Sequence, residues 1–103
     1  MNIEERVQIA ILSKYYGRML TERQQDILNM YVDNNLSLAE VSAELGISRQ
    51  AVKDALDNAM ATLKHMEEKL QFISRDDNIK KQIEENKSID TTTKIQLIAL
   101  LED

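Results

Sequence analysis

A chain of 103 residues supports one core of several helices and is too short for two independent ones. With 43% hydrophobic and 30% charged residues, and no apolar run near the about 20 residues of a membrane span, wholesale disorder and membrane residence are excluded. The lack of cysteine excludes disulfides and thiolate metal sites, and the net charge of -5 excludes a broad basic field, so any nucleic-acid role must rest on a local surface.

Proline is absent and glycine occurs only at Gly17 and Gly46, which removes hairpin turn chemistry and leaves helix formers throughout. The expected class is all-α. The start Met1-Asn2-Ile3-Glu4-Glu5-Arg6 is acidic where a signal peptide would be basic, so a cytoplasmic location is expected, without membrane contact.

In chain order, Ile3, Val7, Ala10, Ile11 and Tyr15 recur at helical spacing and predict a first helix, with Gly17 offering the left-handed position that ends it. Thr21-Glu22-Arg23-Gln24 matches a capping box and predicts the start of a second helix. Its inward stripe is Gln24, Ile27, Leu28, Tyr31 and Val32, and Asp33-Asn34-Asn35 closes it. A second box, Ser37-Leu38-Ala39-Glu40, opens a short helix with Leu38, Val41 and Leu45 on one face and Gly46 at its end.

Ser48 then caps a long helix. Its apolar residues Val52, Leu56, Ala59, Leu63, Met66, Leu70 and Ile73 follow a seven-residue repeat. From Arg49 to Ile73 it would be about 37 Å long, more than a helix-turn-helix covers. Its second half therefore needs a partner, either the first helix or the same helix of another subunit in a homodimer. Ser74-Arg75-Asp76-Asp77 reads as the next helix start, with Ile79 and Ile83 behind it, and a last helix from Asp90 carries Ile95, Leu97, Ile98, Leu100 and Leu101. Residues 1–75 are expected to form one helical domain and 76–103 a C-terminal helical extension packed on it.

The segment Ser37 to Val52 has the parts of a helix-turn-helix reaching to about residue 58. Small Ser42 lets two helices approach, Gly46 makes the turn, Ile47 fills the corner, and Val52 and Leu56 pack on Val41 and Leu45. The first turns of the second helix then project outward, where they can enter a major groove. Ser37, Ser48, Arg49, Gln50 and Lys53 are the candidate nucleic-acid-binding residues, with Asp54 beside them. A guanidinium suits guanine edges and a carboxamide adenine edges, and the capped helix starts at Ser37 and Ser48 suit phosphates.

From Leu20 to Leu63, with Leu20-Thr21-Glu22-Arg23-Gln24 and Ile27-Leu28 leading in, the chain resembles region 4 of sigma-70-type factors. From Val7 to Ile73 it more closely resembles the YlxM family, through Leu20-Thr21, Gln24, Ser37-Leu38, Glu40-Val41, Ile47 to Val52, Asp54 and Glu67-Glu68-Lys69-Leu70. The resemblance implies a sigma-region-4-like helical bundle with a long fourth helix. It also implies a regulatory nucleic-acid-binding protein, DNA before RNA, linked to the signal recognition particle pathway, beside whose GTPase the family is encoded. The family pattern has a tyrosine in place of Lys53 and a basic pair near Asp57 and Asn58, so this helix is less positive than the pattern.

Charge supplies the competing expectation. Residues 1–35 carry four basic and five acidic groups, residues 36–75 five and six, and residues 76–103 four and seven, so no segment is net positive. Such a chain also suits a protein-interaction module that binds the signal recognition particle GTPase or its receptor. His65 stands alone, Glu67-Glu68-Lys69 reads as a solvated face and Asp76-Asp77 as a helix start, so no metal, cofactor or catalytic site is expected and the protein is not expected to be an enzyme.

Overall fold

The computed structural model describes residues 2–102, and these form six α-helices with short 3-10 and π turns among them. They are α1 (Ile3–Tyr16), α2 (Glu22–Leu28), α3 (Leu38–Leu45), α4 (Arg49–Leu70), α5 (Phe72–Glu85) and α6 (Thr91–Glu102). None is long and apolar enough to cross a membrane. The chain divides into two compact units, Met1–Leu70 and Gln71–Asp103.

In the first unit α4 is the central post, with α1, α2 and α3 packed along it. Its stripe Val52, Leu56, Ala59 and Leu63 is buried, matched by Ile27 and Leu28 from α2 and Val41 from α3. These four heptad residues are thus covered by the chain's own helices, while Leu70 stays 47% exposed.

The apolar stripe that marks α1 in the sequence is not the face it buries. Its buried residues are Ile9, Leu12 and Tyr16, whereas Ile3, Val7 and Ile11 are exposed, as is Ala10. Both sets recur at helical spacing, and polar anchors decide between them. The Arg6 guanidinium donates to the Tyr31 carbonyl at 3.0 Å and lies 4.8 Å from the centre of the Tyr31 ring. At the other end the buried Tyr16 hydroxyl donates to Glu67 Oε1 of α4 at 2.6 Å, which satisfies a polar tip that burial would otherwise penalise. Gly17 is also a correction: it keeps right-handed helical angles (φ -57, ψ -32) and passes into a 3-10 turn, Gly17–Met19, before Leu20 becomes extended.

The Thr21 capping box forms with both of its hydrogen bonds, at 3.2 and 3.0 Å, so α2 starts where its sequence directs. After Leu28 the coil widens into a π turn, Asn29–Asp33, closed by Asn34 N–H donating to the Asn29 carbonyl and by Asn35 in the left-handed region (φ 55). An asparagine tolerates that conformation better than most residues.

The long helix ends at Leu70, short of the expected Ile73. Gln71 takes φ 55 and α5 begins at Phe72, ahead of the expected start at Ser74. In the second unit α5 and α6 form a hairpin joined by Lys80–Glu102 at 3.3 Å and by Lys94 Nζ donating to the Glu84 carbonyl at 2.8 Å. α6 starts at Thr91, next to the expected Asp90, which caps it by accepting from the Thr93 amide at 2.6 Å. That amide, with the Thr93 hydroxyl second, holds the Asp90 carboxyl below its ordinary range.

Candidate nucleic-acid interface

The turn between α3 and α4 is built from local hydrogen bonds. The Ser37 hydroxyl accepts from the Glu40 amide at 3.1 Å and the Glu40 carboxylate accepts from the Ser37 amide at 3.1 Å, which sets the start of α3. Gly46 ends it in the left-handed region (φ 67, ψ 32), where a side chain would be strained. The Gly46 and Ile47 amides both donate to the Ser42 carbonyl, and the Ser42 hydroxyl donates to the Ile47 carbonyl. By its sequence position Ser42 is needed only for its small size. Its hydroxyl in fact ties the turn shut, a role that its separation of five residues from Ile47 does not announce.

Ser48 then starts α4: its hydroxyl accepts from the Ala51 amide at 3.0 Å and its carbonyl from the Val52 amide at 3.1 Å. Val41 and Val52 have no exposed surface and Leu56 has 4%, so these residues clasp the two helices as expected. Leu45 and Ile47 are half-buried at the corner.

Ser48, Arg49, Gln50 and Lys53 occupy the first turn and a half of α4, and all four are exposed. Ser37 is exposed at the start of α3. The two helix starts differ in charge. That of α3 already holds the Glu40 carboxylate, so an approaching phosphate meets a like charge there. The first turn of α4 contains no acidic residue and carries Arg49. Arg49 makes no side-chain hydrogen bond or ion pair among the described residues and is therefore available.

Its neighbours are engaged. Gln50 Nε2 donates to Asp54 Oδ1 at 2.8 Å, and Lys53 Nζ pairs with Asp57 Oδ2 at 3.1 Å. Both contacts span one helical turn, and the Lys53 and Asp57 side chains are 58% and 60% exposed, so each contact is worth only about 0.2–0.5 kcal/mol and opens readily. Asp54 and Asp57 thus each hold one of the candidate side chains, Gln50 and Lys53 respectively. The spacing of four residues was the signal for both pairs.

A family model described as "Putative helix-turn-helix protein, YlxM / p13 like" matches residues 3–101. The chain is 42% identical over 85 residues to a UPF0122 protein of Clostridium kluyveri, covering 82% of this chain and 73% of that one. It is 45% identical over 67 residues to a UPF0122 protein of Desulforamulus reducens (65% and 57%). With a Fusobacterium nucleatum UPF0122 protein it shares 36% over 83 residues (81% of each). The family match extends past Ile73, where the resemblance evident in the sequence ends, and so takes in α5 and most of α6.

Proposed function

Since the chain belongs to this YlxM / p13-like helix-turn-helix family, we propose that it is a regulatory protein that acts by binding nucleic acid, DNA in preference to RNA, and not by catalysis. The observation that carries the reading is the exposed, carboxylate-free first turn of α4 with an unpaired Arg49, held out by the closed turn at Ser42 and Gly46. In this reading α4 enters the major groove. Arg49 addresses guanine O6 and N7, Gln50 leaves Asp54 to address adenine, Lys53 leaves Asp57 for a phosphate, and the amides after Ser48, with Ser37 more weakly, face the backbone. Two cations on an acidic chain make for weak, salt-sensitive binding, so a single genomic target near the protein's own operon fits better than bulk coating of DNA. A link to the signal recognition particle pathway is part of the proposal.

Fluorescence anisotropy with a duplex from that operon, a scrambled duplex and an RNA of equal length provides the test. The operon duplex should outcompete the other two, and the logarithm of affinity should fall with log salt at a slope of roughly -0.9, for the one phosphate that Lys53 neutralises. Replacing both Arg49 and Lys53 with alanine should remove the preference. Equal affinity for all three nucleic acids, together with no loss in that variant, would overturn the reading.

The overall charge of -5 favours a second reading, a protein-interaction module for the signal recognition particle GTPase or its receptor. Calorimetry with each of them, with and without guanine nucleotide, separates the two readings: heat of binding that is insensitive to the Arg49 and Lys53 substitutions supports the second.

A further inference from the structure

The apolar stripe that marks α1 in the sequence is on the outside of the helix. Ile3 is 79% exposed, Val7 53% and Ile11 44%, one turn apart along the helix, with Ala10 exposed between them. The opposite face, Ile9, Leu12 and Tyr16, already fills the core, and Arg6 and Tyr16 fix the helix so that it cannot roll over. A 14-residue helix, about 21 Å long, therefore offers water a continuous apolar ridge.

We propose that this ridge is where a second copy of the chain docks, α1 against α1 in antiparallel orientation about a two-fold axis midway between Val7 and Ile11. Charge selects both the occupant and its direction. The first turn of α1 is acidic (Glu4, Glu5) and its last turn basic (Lys14). An antiparallel copy lays each Glu4 level with the partner's Lys14 at both ends of the ridge, while a parallel copy sets like against like. The helix dipoles also oppose favourably in the antiparallel case. A two-fold contact needs a self-complementary patch, and an apolar centre flanked by acid at one end and base at the other is one. The first four residues of the α4 heptad stripe, Val52, Leu56, Ala59 and Leu63, are covered within the chain and cannot supply the expected homodimer contact. One pair of crossed helices lies at the small end of interface sizes, so the dimer is weak and concentration-dependent. It places two copies of α4 on one particle, and that multivalency raises the affinity of a weak reader without any new contact.

The inference does not rest on nucleic-acid binding and is tested without it. Sedimentation velocity of the full chain should show monomer at about 10 µM and growing dimer from roughly 100 µM to 1 mM, the range expected for so small a contact. Val7→Glu, at an exposed helical position, should weaken dimerisation at least about tenfold with an unchanged melting temperature. Ile11→Gln should do the same less strongly. Glu4→Lys alone should also weaken the dimer, and the double exchange Glu4→Lys with Lys14→Glu should restore it. A chain that stays monomeric at 1 mM, or a dimer indifferent to Val7→Glu, overturns the proposal; a double exchange no better than the single one overturns the antiparallel pairing.

Discussion

Neutralising Asp57 should tighten nucleic-acid binding. In the free protein Asp57 holds Lys53 at 3.1 Å, and both side chains are more than half exposed. Docking must break this pair, at about 0.2–0.5 kcal/mol. The freed carboxylate then faces the phosphates. For a phosphate about 7 Å away in water, the repulsion is about 0.6 kcal/mol, halved to roughly 0.3 kcal/mol by screening at 0.1 M salt. Asp57→Asn removes both terms, together about 0.5–0.8 kcal/mol, or an affinity gain of roughly twofold to fourfold at 0.1 M salt. Because Lys53 is then free in the unbound state, the gain should shrink as salt rises. The assay is anisotropy of a labelled duplex at several salt concentrations, with thermal melts as a control; loss of the pair should lower the melting temperature by no more than about 4 °C. An affinity that is unchanged or lower at 0.1 M salt, in a variant that remains folded, would refute the placement of Lys53 against phosphate.

Other positions test the fold that presents α4. A Cβ at Gly46 would meet nothing within 4 Å, so Gly46→Ala pays only for left-handed backbone: a loss of about 1 kcal/mol and roughly 4–8 °C in melting temperature, with Gly46→Asn losing less. A much larger loss would mean that the turn is constrained sterically. The Ser13 hydroxyl is buried without a hydrogen-bond partner, so Ser13→Ala should stabilise the protein by about 1 kcal/mol, and a drop in melting temperature would contradict this. At Asp90 the folded carboxyl titrates below its ordinary value, so its contribution is present above the unfolded value, near pH 4, and is lost as pH falls through the folded value. The stability difference between the wild type and Asp90→Ala should therefore be present at neutral pH and fade below about pH 4, and a difference that persists to pH 2 would argue against an ionised cap.

The starts of α2, α3, α4 and α6 were legible in the amino-acid sequence because capping is local. Thr21 with Gln24, Ser37 with Glu40, Ser48 with the Ala51 amide and Asp90 with the Thr93 amide each act within one turn, and all four helices begin there. Gly46 was legible for the same reason, and so was the exposure of Arg49, Gln50 and Lys53, which follows from the burial of Val52 and Leu56 on the opposite side of one helix. Tertiary structure decided what local rules leave open. α1 carries apolar residues nearly all round, so periodicity offers two candidate faces, and only the anchors from Arg6 to Tyr31 and from Tyr16 to Glu67 turn Ile9 and Leu12 inward. Gly17 permits a left-handed stop without requiring one, and Gln71 adopts one without any sequence signal, since neither conformation is set by the residue alone. The apolar ridge on α1 exists for this physical reason: a helix with two hydrophobic faces can bury only one of them in a bundle this small.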